Sequence, residues 1–129
     1  MNARGTFTVQ PRADAPAQTV PEIGRIVLDK QWSGELEGHS VVEMLSCMSS
    51  VEGSGVYVAI EVVQATLNGR QGSFAFYHAG VSERGAQSLT CRVVPDSGTE
   101  ELLGLSGELR LEMVEKAHHY TLEYALAET

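Results

Sequence analysis

The sequence predicts an all-β domain, a closed eight-stranded antiparallel barrel with at most one short helical turn. Three observations predict it. Segments rich in Val, Ile, Thr, Phe and Tyr recur along the chain between glycine-bearing turns, the signature of strands and hairpins. No long stretch carries helical periodicity. Eight such segments at this spacing suit a barrel or sandwich, not a parallel sheet covered by helices.

In chain order the strands are expected near 3–10, 23–33, 35–48, 55–67, 70–82, 86–95, 105–114 and 119–126. Between the first two lies 11–21, with Pro11, Pro16 and Pro21. Proline cannot donate to a ladder, so this stretch is no interior strand. It reads as a long loop at the barrel mouth or rim, either a lid or a solvated connection. Ser33-Gly34 is read as a two-residue turn, and Gly53-Ser54-Gly55 and Glu83-Arg84-Gly85 mark two more. Asn68-Gly69 is the clearest turn, because both central positions of a type I′ hairpin need positive φ. One helical turn is expected after the sixth strand, with Ser97 as its cap, Glu100 completing a capping box and Gly104 closing it.

The 129 residues fit one domain, 1–129, with enough hydrophobic residues (43%) for a core. Acidic residues outnumber basic ones, 17 to 9, for a net charge of -8. That charge repels phosphate, so nucleic acid and anionic membrane are not expected partners. No signal sequence and no apolar run long enough to span a bilayer is read, so the expected location is cytoplasmic. Cys47 and Cys91 are then expected as two free, buried thiols. His118 and His119 are adjacent, so strand alternation points them to opposite faces, and His39 adds no ligand spacing. No metal site is expected. No phosphate loop or dinucleotide fingerprint occurs either, so no cofactor is expected.

The Asn-Gly turn fixes a register. If Leu67 pairs with Arg70, Glu61 faces Phe76, Ala59 faces His78 and Val63 faces Phe74. Alternation then places Tyr57, Glu61, Phe74, Phe76 and His78 on one side, and Val56, Val58, Ile60 and Val62 on the other. Both faces are apolar. The aromatic one reads as the interior, and the branched one as the interface of a homodimer or higher homo-oligomer; a sandwich with those roles exchanged is the alternative. Tyr120 and Tyr124 form another interior row. With a two-residue Ser33-Gly34 turn, Trp32 shares a side with His39 and Glu43; a three-residue loop would change which third-strand residues join it.

Several stretches resemble a bacterial family, domain of unknown function 3224. They are Trp32-Ser33-Gly34-Glu35-Leu36-Glu37-Gly38, Glu43-Met44-Leu45, Asn68-Gly69-Arg70-Gln71-Gly72-Ser73-Phe74, His78-Ala79-Gly80, and the run from Val94-Pro95-Asp96 to Ser106-Gly107. The resemblance implies a barrel of the allene oxide cyclase type, similar to plant dirigent proteins. It would have eight antiparallel strands around an apolar cavity, often in oligomers. Members of that wider group bind a small hydrophobic molecule and steer its cyclisation or coupling. The sequence departs from the pattern at Pro11-Arg12-Ala13-Asp14, where aromatic and acidic residues would be expected.

The sharpest chemical candidates are Glu61 and His78, diagonal across the hairpin. A carboxylate beside an imidazole in a dry cavity can exchange a proton near neutral pH. Equally, a buried carboxylate needs a partner, and the two can be a satisfied internal pair. Tyr57, Phe74, Phe76, Tyr120, Tyr124, Trp32 and Glu43 are the candidate ligand-contacting residues. The expected function is binding of a small hydrophobic molecule inside the barrel. The alternative is a cyclase or isomerase using Glu61 and His78 as acid–base groups, and a barrel filled by its own side chains is the third possibility.

Overall fold

A computed structural model describes residues 1–11 and 23–126; the expected lid or connection over 11–21 lies almost wholly outside the described residues. Eight strands close into an antiparallel barrel in sequence order, with β1 paired to β8. They are β1 (Asn2–Pro11), β2 (Ile23–Gly34), β3 (Leu36–Met48), β4 (Gly55–Leu67), β5 (Arg70–Glu83), β6 (Ala86–Val93), β7 (Ser106–Val114) and β8 (Ala117–Ala125). A 3-10 turn, Glu100–Leu102, lies between β6 and β7.

The β4–β5 hairpin has the register that its turn dictates. Asn68 and Gly69 both take positive φ, 47° and 85°, as a type I′ turn requires. Leu67 pairs with Arg70, Glu61 with Phe76 and Ala59 with His78. Tyr57, Ala59, Glu61, Val63, Phe74, Phe76 and His78 therefore face inward, and Val56, Val58, Ile60 and Val62 stand exposed outside.

The β2–β3 hairpin corrects the expectation. Trp32 pairs with Gly38, so residues 33–37 lie between them rather than Ser33-Gly34 alone. The three extra residues are an odd number, which reverses the alternation of β3. The cause is a contact with β1. Glu35 leaves the hairpin; its N–H donates to the Arg4 carbonyl (3.1 Å) and its carboxylate accepts the Arg4 N–H (3.0 Å). Gly34 permits this with φ 108°, where a Cβ would stand 2.6 Å from the Arg4 carbonyl oxygen. Ser40 and Val42 consequently face inward, and His39 and Glu43 face solvent.

Ser97 does not cap the 3-10 turn. Thr99 precedes it without a side-chain cap bond, and both residues tie the segment to β5 instead. Ser97 Oγ accepts the Ala75 N–H (3.1 Å), and Thr99 Oγ1 accepts the Ser73 N–H (3.0 Å). Gly104 does follow the turn, at φ 81°. The segment pushes Leu102 and Leu105 into that end of the barrel, where they pack with the buried residues Leu36, Leu67, Leu122 and Tyr124. The Tyr120 hydroxyl staples the same end. It accepts the Leu36 N–H and lies 3.0 Å from the Ser33 and Leu36 carbonyl oxygens. Tyr124 Oη accepts the Asn68 amide N–H at 2.8 Å.

Among the described residues, the opposite end is open. Ile26, Met48, Leu89, Leu111 and Met113 occupy inward positions there, yet each is exposed. Cys91 is buried in the barrel wall, but Cys47 is exposed, which corrects the expectation of two buried thiols. Cys47 falls at an outward position near the end of β3, one more result of the reversed alternation. Both thiols are free. No helix among the described residues is long and apolar enough to cross a membrane.

Candidate functional site

The packed end and the open end meet at a layer of charged groups. Glu61, from β4, is fully buried and is the centre of this layer. Its Oε1 receives His78 Nε2 of β5 at 2.7 Å and Lys30 Nζ of β2 at 3.3 Å. Its Oε2 accepts the Ser40 hydroxyl of β3 at 2.5 Å, and Ser40 Oγ in turn accepts the Trp32 indole N–H at 2.9 Å. Cys91 Sγ of β6 lies 3.6 Å from His78 Nε2. Five consecutive strands thus contribute to one connected network, β2 through both Lys30 and Trp32.

Burial by itself would raise the Glu61 carboxyl. The His78 hydrogen bond, the Lys30 charge and the Ser40 hydroxyl together outweigh it and hold the group below its ordinary value. Glu61 is therefore ionised at neutral pH, with Lys30 as its counter-ion. The Lys30 ammonium also lies over the faces of Phe7 (4.5 Å) and Trp32 (5.5 Å), which suits a desolvated cation. Burial and the Glu61 charge push the Cys91 thiol up to about 12. It stays protonated and is no nucleophile.

Toward the open end, the barrel widens into a cup of about 490 Å³. Inward residues of four strands line it, among them Met44, Met48, Tyr57, Gly80, Gln87 and Leu89. The lining is mostly apolar. Tyr57 lies across Gly80, since a Cβ on Gly80 would stand 2.1 Å from its ring. Ala59, His78 and Cys91 form the next inward layer of the same strands.

The structure brings Glu61 and His78 together as expected and puts Tyr57 in the cup lining. Trp32, Phe74, Phe76, Tyr120 and Tyr124 also face inward, but they are packed in the filled half. Trp32 meets Phe7, Phe76 and Tyr120 at 4.9–6.1 Å, and Phe74 meets Phe76 edge-on at 5.0 Å. Glu43 is the correction: it lies on the outer surface, paired to Arg25 at 2.5 Å. Sequence reasoning missed Lys30 and Ser40. Lys30 shares the even-numbered inward side of β2 with Leu28 and Trp32, so an interior lysine was signalled by alternation alone. Ser40 was hidden by the assumed turn. Among the described residues, no group of three His, Cys, Asp or Glu could hold a metal ion. His118 stacks on Phe7 at 4.9 Å.

The profile of the family described as protein of unknown function (DUF3224) matches residues 3–124. The crystal structure of a protein with unknown function from the DUF3224 family of Shewanella oneidensis MR-1 is similar throughout. Its TM-score is 0.89 at 41% identity, covering 100% of this chain and 98% of that one. No curated protein matches.

Proposed function

The chain belongs to the DUF3224 family, and we propose that it holds a small, largely apolar molecule in the open end of its barrel. One observation carries this reading: the barrel is packed at one end and left as an apolar cup of about 490 Å³ at the other. Eight strands can be filled entirely by side chains. A concave apolar space with a few polar groups at its base is the usual form of a small-molecule site. A cytoplasmic location belongs to the same reading, since two free thiols suit a reducing compartment.

A second reading, a cyclase or isomerase, is favoured by the 2.7 Å contact of His78 with Glu61. In that reading His78 exchanges the proton and Glu61 positions the ring, because both Glu61 oxygens are already occupied. Binding asks less of the site and is preferred.

Native mass spectrometry of protein purified from its own host tests the proposal. A small-molecule adduct that is released on denaturation supports it. Adduct-free protein that no apolar compound stabilises against heat refutes it.

A further inference from the structure

We propose that the cup selects a neutral, flat aromatic molecule stacked on the free face of the Tyr57 ring, and that Gly80 is the residue that lets this ring lie against the wall. This rests on the cup being a binding site and names the class of molecule it takes.

The cup exists because two glycines stand where long side chains need room. Tyr57 pairs with Gly80 across β4 and β5, and Met48 pairs with Gly55 across β3 and β4. All four residues line the cup. A Cβ on Gly80 would stand 2.6 and 2.7 Å from Cζ and Cδ1 of Tyr57 and nearer still to Cε1 between them, which puts it over the ring face and not beyond the ring edge. A Cβ on Gly55 would collide with the Met48 sulfur and stand 2.9 Å from its methyl carbon. Each long side chain therefore lies along the wall over its partner glycine, and neither fills the barrel.

With one face on Gly80, Tyr57 turns the other toward the space it lines. The residue is only partly buried, and among the described residues no ring stacks on it and no group hydrogen-bonds to its hydroxyl. An aromatic ring packs on another ring with a gain beyond the area buried. The thioethers of Met44 and Met48 in the same lining also favour aromatic partners. The lining contains no Asp, Glu, Lys, Arg or His. Burial, with the neighbouring Cys91, raises the Tyr57 phenol, so it too is uncharged at neutral pH. A charged group entering the cup would give up water with no opposite charge to meet it. Ser46 and Gln87 suit a neutral polar substituent instead.

Isothermal calorimetry on the full chain with three probes tests this: 2-naphthol, its saturated counterpart decahydro-2-naphthol, and 2-naphthoate. 2-Naphthol should bind about three- to tenfold more tightly than the saturated alcohol, although apolar area alone would favour the bulkier compound. 2-Naphthoate should bind at least about tenfold more weakly than 2-naphthol. Tyr57→Leu should erase the preference for the flat alcohol while both alcohols still bind. Gly80→Ala should drive the ring into the cup and weaken 2-naphthol by at least about tenfold. Because Gly80→Ala can also disturb the barrel wall, proton spectra of the wild-type methionine methyl groups provide a second measurement. The ring current of bound 2-naphthol should shift the Met44 and Met48 methyl resonances. Equal or tighter binding of the saturated alcohol or of 2-naphthoate, a preference that survives Tyr57→Leu, or unmoved Met44 and Met48 methyls overturns the inference and leaves the cup as a binding site. A folded Gly80→Ala variant that binds 2-naphthol as the wild type does overturns the role of Gly80. Failure of all three probes to bind overturns the inference, and the cup reading with it if no apolar compound stabilises the protein against heat.

Discussion

Glu61→Gln removes one negative charge from the barrel interior while keeping the side chain's shape. Lys30 then keeps its ammonium in a site where the residue is only 8% exposed. Its remaining company is the faces of Phe7 and Trp32, worth about 0.5–2 kcal/mol each. A buried charge deprived of its partner costs about 3–5 kcal/mol, so the rings do not make up the loss. For a chain of this length the melting temperature should fall by roughly 10–20 °C. Urea unfolding followed by far-UV circular dichroism at pH 7 measures the difference. Lys30→Met combined with Glu61→Gln should recover most of it, because the orphaned charge is gone. The pH dependence follows from the depressed Glu61 carboxyl, which binds a proton more weakly in the folded chain than in the unfolded one. Its stabilisation is present above the ordinary glutamate value of about 4.3 and is lost as pH falls through the lower folded value. Wild-type and Glu61→Gln stabilities should therefore converge in acid. A loss under about 1 kcal/mol at pH 7, or a double variant no better than the single one, would refute the ionised Glu61–Lys30 pair.

Two further outcomes are expected. We propose that a second copy of the chain covers the outward row of Val56, Val58, Ile60 and Val62. On a chain of net charge -8, this uncharged row is bordered by the self-neutralised Arg25–Glu43 pair, so two copies can meet there without opposing like charges. Sedimentation at micromolar concentration should give twice 13.9 kDa, and Ile60→Glu should give the single chain; a wild-type monomer refutes it. Thiol reagents should modify Cys47 quickly in the native protein and Cys91 only in denaturant; equal rates would contradict the burial of Cys91.

How much of this was legible in the sequence depended on whether a local signal was also the decisive one. Asn68-Gly69 fixes its hairpin by the backbone preferences of two residues, so the inward set of β4 and β5, and with it the Glu61–His78 contact, followed from the sequence. Ser33-Gly34 carries an equally local signal, but a distant strand overrides it: Arg4 of β1 captures Glu35. That one contact is why Glu43 was misplaced and Ser40 was missed. Ser97 was misread in the same way, since Ala75 of β5 claims its hydroxyl. A cavity was expected, but which end of the barrel it occupies was not legible. Nothing in the apolar alternation of β3 to β7 distinguishes inward residues that pack, such as Phe74, from inward residues left open, such as Leu89; the difference is made by Leu102 and Leu105 filling one end only.

The chain's one tryptophan is wired to this network. The Trp32 indole N–H donates to Ser40, whose hydroxyl donates to Glu61, and the Lys30 ammonium lies 5.5 Å from the indole ring. Indole emission responds to nearby charge, so a proton arriving on Glu61, or a molecule settling above it, would change the fluorescence of the unlabelled protein. The barrel therefore contains its own optical readout of the charge state of its interior, with a single emitter and no competing tryptophan to subtract.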